Sequence, residues 1–279
     1  NHAEGDDSME DTALAYITTM NCTFSSNHAS DNGGGIMLKT GRYNGGGEFL
    51  ATRLNADSCD FINNSSDLCG GAIGSPVSDG LPQCRVKNSN FEGNQSNSSS
   101  IVWLSQYGFG NNKNNGFQSF FKHCEFTNNT GYYGGAIDSY YMENFLIKNC
   151  VFKNNVGGET GGGALWLYYS HNEIKNCTFI NNTAHKGGAI SQTAAYGMLN
   201  LVEGCNFIEN MSELKGGAIY SEQNSMVICN SRFKANQSKK GGAIYGILES
   251  GEDKSYKIDS CRFVDNNANQ YGGALLFKS

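Results

Sequence analysis

Long apolar runs are missing from this chain: no stretch of its 279 residues approaches the length that spans a bilayer as a helix. A basic excess is missing too. Twenty Lys and Arg stand against 26 Asp and Glu, a formal net charge of −6, which argues against a nucleic-acid-binding footprint. No apolar stripe recurs at helical spacing. Ten Cys are present without a Cys-x-x-Cys pair, and His2, His28, His123, His171 and His185 show no metal-ligand spacing. No metal or other cofactor is therefore expected, and the histidines read as structural or surface residues.

What is present is one unit, repeated: Cys-x-Phe-x-x-Asn, a short polar turn, then Gly-Gly-Ala-Ile. It stands most clearly at Cys177-Thr178-Phe179-Ile180-Asn181-Asn182 and Gly187-Gly188-Ala189-Ile190. Phe recurs at Phe24, Phe61, Phe91, Phe126, Phe152, Phe179, Phe207, Phe233 and Phe263. Three residues after each comes Asn: Asn27, Asn64, Asn94, Asn129, Asn155, Asn182, Asn210, Asn236 and Asn266. Between Phe126 and Phe233 the steps are 26, 27, 28 and 26 residues. A unit of that length, too short to bury a core alone, implies stacked coils.

The apolar stretches have strand length and period two. In Cys-x-Phe the outer two residues share a face, and the middle one is polar in every unit except at Val151. Five residues before Phe lies a second inward column: Val86, Phe121, Ile147, Ile174, Val202, Ile228 and Ile258. The Ile or Leu closing the Gly-Gly-Ala motif gives a third, with Ile101 of Ser98-Ser99-Ser100-Ile101 standing in the third unit, whose corner should differ. Three short strands per coil, each adding to a parallel sheet, predict a right-handed parallel β-helix of about nine coils and roughly 45 Å. Stacked Asn amides and stacked Phe rings are its expected ladders.

The paired motifs resemble the Gly-Gly-Ala-[Ile/Leu/Val] and Phe-x-x-Asn repeats of chlamydial polymorphic outer membrane proteins; similar repeats occur in surface proteins of some protists. The resemblance covers residues 22 to 275. It implies a β-helical, surface-exposed, adhesin-type passenger. The C-terminal membrane barrel of that family has no counterpart here. Because the motifs are scaffold residues, the resemblance transfers no binding residue.

The repeat runs through residues 1–279 as a single domain. Asn1-His2-Ala3 echoes Asn27-His28-Ala29, and the chain ends inside a unit at Gly272-Gly273-Ala274-Leu275. The expectation is a segment of a longer solenoid, with an end-to-end stacking tile as the alternative. Insertions follow the Gly-Gly-Ala-Ile strand, near 39–54, 74–83, 105–118 and 249–255.

Seven Cys occupy the position two before the ladder Phe: Cys22, Cys59, Cys124, Cys150, Cys177, Cys205 and Cys261. They read as buried free thiols, since in-register neighbours about 4.8 Å apart exceed the roughly 3.8 Å Cβ separation of a disulfide. Cys69 and Cys84, off the ladder and flanking a loop, are the disulfide candidates. Ten Asn-x-Ser/Thr acceptors occur where chance gives about five. Those on the ladder should be turned inward. Asn63, Asn97, Asn128 and Asn181 are the expected N-glycosylation sites; Asn21 and Asn176 also face outward, on strands.

Function in a solenoid lives in loops and outer faces. Tyr107, Phe109 and Phe117 in the Asn/Gly-rich insertion are candidate contacts. The residue after the recurring Ile should face outward, which makes Trp166, Tyr220 and Tyr245 a candidate binding strip for sugar rings or protein. Strand aromatics covered by a neighbouring loop are the alternative. β-Helices also include polysaccharide-degrading lyases and glycoside hydrolases, whose chemistry needs acidic or basic groups clustered on one face. The nearest carboxylate pair, Asp138 and Glu222, is separated by three coils, about 14 Å, beyond the spacing of a hydrolase pair. Glu143, Glu173 and Glu203 read as solvated turn charges. The expectation is a non-catalytic extracellular or cell-surface structural or adhesion protein that binds a protein, a glycan or copies of itself, without nucleic acid. A polysaccharide-degrading enzyme and an extracellular filament subunit are the alternatives.

Overall fold

The computed structural model describes residues 14–39, 51–75, 81–105, 119–142, 144–193, 199–223, 225–248 and 255–278. Most of the expected insertions near 39–54, 105–118 and 249–255 and half of that near 74–83 lie outside these residues, as do Tyr107, Phe109, Phe117 and Glu143. The described residues contain strands and no helix. All pairing is parallel, and each strand pairs with its equivalents one coil before and after. Coils 1 to 9 are numbered here by the successive ladder phenylalanines.

Three nine-stranded sheets run the length of the rod. The leading sheet extends from Leu14–Met20 to Tyr256–Asp259. The phenylalanine sheet extends from Thr23–Ser25 to Arg262–Val264. The isoleucine sheet extends from Ile36–Met37 to Leu275–Lys278. A fourth short strand follows the ladder Asn, which the sequence pattern missed. It has two residues in coils 1 to 4 (His28–Ala29 in coil 1) and four or five in coils 6 to 9 (Thr183–Lys186 in coil 6). Single bridges at Val156 join the two halves. Its inward residues are small and polar, such as Ser66, Ser96 and Ser212, so it carries no apolar alternation to read.

The interior is built from columns of like residues. Consecutive ladder Phe rings lie 4.5 to 4.8 Å apart between centroids and within 9° of parallel. The strand spacing imposes this face-over-face stack. Beside it runs the amide ladder. Asn182 Oδ1 accepts from both the backbone N–H and the Nδ2 of Asn155, each at 3.0 Å. Its Nδ2 donates to Phe152 O at 3.0 Å and to Asn210 Oδ1 at 2.9 Å. The same set recurs at Asn64, Asn94, Asn129, Asn155, Asn210 and Asn236. Every capacity of each side chain is filled, which is how a column of buried amides is tolerated.

The corners explain most of the remaining composition. The residue before the Cys column is left-handed in all nine coils, from Asn21 (φ 51°) to Ser260 (φ 53°). So is the residue before the ladder Asn, from Ser26 (φ 56°) to Asp265 (φ 54°). Asn tolerates that conformation better than other side-chain-bearing residues, so the fold itself recruits Asn. The glycine pair has two separate reasons. Gly187 has φ 60°, and a Cβ on Gly188 would meet Gly217 O of the next coil at 2.1 Å. Coil 3 departs from this pattern by one residue: Val102, not Ile101, pairs with Ile73 and Ile137. Ile101 takes the Ala position, and Ser99 and Ser100 replace the glycines. Ser100 Oγ accepts the Gly134 N–H at 2.9 Å.

The cysteine column is buried except at its ends, where Cys22 and Cys261 are half-buried, and all ten Cys are free thiols. Each ladder thiol donates to a strand carbonyl, as Cys177 does to Lys175 O at 3.3 Å. Ser89 and Ser231, which replace Cys in coils 3 and 8, donate to the equivalent carbonyls at 2.8 Å. The expected disulfide is absent: Cys84 points into the core of the leading sheet, fully buried, while Cys69 sits on the turn before Gly70. Flanking a loop in sequence did not bring the two together, because a strand alternates inward and outward and Cys84 takes the inward place.

Asn182→Ala strips four buried hydrogen bonds and should lower stability by about 4 kcal/mol. Asn181→Ala, at an exposed left-handed corner, should lower it by about 1 kcal/mol. Denaturant midpoints of the two variants decide this; equal losses would mean the ladder contributes nothing beyond its corner.

Candidate binding surface

The outer column beside the recurring Ile is in register as expected, through Asp138, Trp166, Ser191, Tyr220 and Tyr245. It is not a solvent-facing strip. Trp166 is 8% exposed, Tyr220 1% and Tyr245 4%. Outward from the core is not outward to water here, because side chains from the segment before the glycine corner, a bend in coil 4 and the end of the fourth strand in coils 6 and 7, lie over the column. Tyr133 stacks on Trp166 at 4.2 Å. Lys186 and Lys215 lie over the Tyr220 ring at 5.1 and 5.8 Å, and Lys215 over Tyr245 at 5.0 Å. Tyr220 also donates to Glu222 at 2.7 Å. Trp166, Tyr220 and Tyr245 are covered strand aromatics, so the binding strip is withdrawn.

A connected accessible aromatic surface lies farther along the same sheet, in coils 4 and 5. Tyr140 stacks on Tyr168 at 4.9 Å, and Tyr141 on Tyr169 at 4.9 Å. Tyr168 stacks on Trp166 at 5.1 Å, Trp166 in turn carries Tyr133, and Tyr132 packs edge-on against Tyr133 at 5.1 Å. Seven rings thus form one connected platform. Tyr132 is 46% exposed, and the other five tyrosines are half-buried. Burial, chiefly, keeps the Tyr133 and Tyr168 phenols above their ordinary range, so both stay protonated at neutral pH and offer a donor and an acceptor.

Two members of the platform hold strained backbone. Tyr141 has φ 56° and Tyr169 φ 48°, a conformation that a bulky residue adopts at a cost of order 1–3 kcal/mol. The equivalent corner of coil 7 holds Gln223 at φ 57°. Neither Tyr is the residue that a structural corner selects. The legible signal was the pair of Tyr-Tyr doublets, 140–141 and 168–169, one coil apart.

Beneath the platform lies a buried carboxyl. Asp138 Oδ2 accepts from Ser99 Oγ at 2.8 Å, while Oδ1 and the nearby Trp166 Nε1 have no hydrogen-bond partner. Burial holds Asp138 well above the usual carboxylate range. Cys69, on the same side, is pushed up to about 11 by burial and then by the Asp138 charge. Asp138 and Glu222 stand in different columns three coils apart, Glu222 continuing the Tyr140–Tyr168–Thr193 column. Glu173 and Glu203 also separate: Glu173 pairs with Lys175 at 2.7 Å, and Glu203 is next to Lys175 in register. Among the described residues no group of three or more His, Cys, Asp or Glu is placed to hold a metal.

The glycan candidates Asn63, Asn97, Asn128 and Asn181 are exposed, as are Asn21 and Asn176. The ladder acceptors Asn64, Asn94, Asn210 and Asn236 are fully buried. Much of the acceptor excess follows from the fold. Left-handed corners recruit Asn, and the small inward column two residues past the ladder Asn supplies Ser66, Ser96, Ser212 and Ser238.

The raised Asp138 pKa fixes a sign. The neutral acid is the folded form, so its contribution is complete below the unfolded value of about 4 and is lost as pH rises toward the folded one. Asp138→Asn should therefore have the higher melting temperature at pH 7, with the gap closing by pH 4. A gap independent of pH would place the ionisation elsewhere.

A family model for a right-handed β-helix region matches residues 112–279. The Chlamydia polymorphic membrane protein repeat matches residues 21–39 and 58–76. No curated protein and no solved structure gave a match.

Proposed function

The chain belongs to the right-handed β-helix family, and from that premise we propose that it is a non-catalytic adhesion scaffold that binds a protein or glycan at the cell surface through its outer face. The polymorphic membrane protein repeats point to an outer-membrane or cell-surface location. The observation carrying the reading is the tyrosine platform of coils 4 and 5, a half-exposed group of stacked rings with two members in strained corners. Stacked, preorganised tyrosines offer flat apolar faces and phenolic hydroxyls with little side-chain entropy to lose, a composition suited to sugar rings and to protein hot spots. The lack of catalysis is supported by the carboxylates: Asp138 is buried away from solvent, and Glu222, three coils away, is occupied by Tyr220.

Binding of the purified protein to immobilised glycans and to fixed cells tests this. Tyr140→Ala/Tyr168→Ala should weaken capture by at least tenfold, about 1.4 kcal/mol, with the melting temperature little changed. Unchanged capture by the double variant, or release of reducing or unsaturated sugars by the parent protein, would refute it.

A further inference from the structure

The outer face of the leading sheet carries a feature that the repeat does not require. One column reads Asp57, Lys87, Lys122, Lys148, Lys175, Glu203 in consecutive coils, each residue in register with the next. Four lysines therefore lie side by side over about 14 Å, at the strand spacing of about 4.8 Å. Like charges directly opposite on adjacent strands destabilise a sheet, and this chain has a net charge of −6. The row is neutralised only toward its ends, where Lys87 meets Asp57 at 3.1 Å and Lys175 meets Glu173 at 2.7 Å. Among the described residues no carboxylate pairs with Lys122 or Lys148. Glu125, across the corner from Lys122, accepts from Thr127 instead.

A second lysine row, Lys186, Lys215 and Lys240, provides an internal contrast. Those side chains cover the rings of Tyr220, Tyr245 and Tyr271 and so have a structural occupation. Among the described residues, the first row has only Lys122 over a ring, that of Phe120 at 4.3 Å. The surroundings of the first row are specific. Two residues earlier on the same face stand Phe120 and Leu146, both half-buried. On the other side the left-handed corners present His123, Asn149 and Asn176.

We propose that this face is a rail for an acidic polysaccharide lying along the rod axis. The ammonium groups of Lys87, Lys122, Lys148 and Lys175 would take successive carboxylate or sulfate groups. The Leu146 side chain would meet apolar ring faces, and the corner amides and imidazole would bond hydroxyls. A single-stranded nucleic acid is the poorer fit: binding it calls for a succession of open aromatic faces, and the row has one, covered by Lys122. The proposal is independent of the tyrosine platform, which belongs to the isoleucine sheet.

The test uses the full chain and a fluorescent heparin octasaccharide, read by polarisation at low and moderate salt, with uncharged dextran and a single-stranded oligonucleotide of equal length as competitors. Lys122→Gln/Lys148→Gln should weaken heparin binding about tenfold and flatten its salt dependence. The control pair Lys234→Gln/Lys239→Gln and the Tyr140→Ala/Tyr168→Ala variant should leave both unchanged. A melting curve on each variant separates loss of the rail from loss of fold; if the double lysine variant unfolds, Lys148→Gln alone should still weaken binding severalfold. Four results would overturn the proposal: no heparin binding by the parent protein, equal loss in the control lysine pair, competition by dextran as strong as by unlabelled heparin, or stronger competition by the oligonucleotide.

Discussion

The whole rod depends on an amide that belongs to two coils at once. A backbone N–H at the corner after each Phe has no acceptor in its own coil. It is satisfied by the Oδ1 of the ladder Asn one coil further on, which also accepts from the side-chain amide of the first coil's ladder Asn. An unmet buried donor is expensive, so each coil is complete only when its neighbour is in register. The phenylalanine stack, the close glycine approach and the alternation of inward and outward residues all presuppose that register. Sequence drift at the middle residue of Cys-x-Phe, and not at Phe or Asn, is the visible result.

The same constraint leaves the outside free. The outer columns receive no instruction from the stacking rule other than spacing, so a residue type repeated there in consecutive coils is informative. Two tyrosine doublets in successive corners and four lysines in successive strands are departures of this kind. Both sets run against local preference, the tyrosines against backbone conformation and the lysines against charge repulsion. The inner columns repeat because packing demands it; these outer ones repeat without such a demand.

Architecture was legible because it is written in period. The Phe and Asn columns, the strand directions and the inward Cys could be read from spacing alone, and the structure places them accordingly. Three things were not legible. The fourth short strand has no apolar signature. The one-residue offset at Val102 is invisible where Ser replaces Gly. The cover over Trp166, Tyr220 and Tyr245 comes from Tyr133, Lys186 and Lys215, the last two at the ends of fourth strands that carry no apolar signature of their own. Alternation tells which way a side chain points and says nothing of what lies above it. The tyrosine doublets were in plain sight at one-coil spacing, but a reading that tracked the motif columns passed over them.

Inter-coil hydrogen bonds run along the rod axis, and each coil contributes 26 to 28 residues in the regular stretch from Phe126 to Phe233. A tether pulling on one chain end would therefore load the outermost coil alone, and that coil would peel away while the rest of the ladder stayed closed. Each event would release about 90 Å of chain. Across that stretch the rod would yield under tension in nearly equal steps, lengthening severalfold while the remaining coils kept their surface chemistry in place.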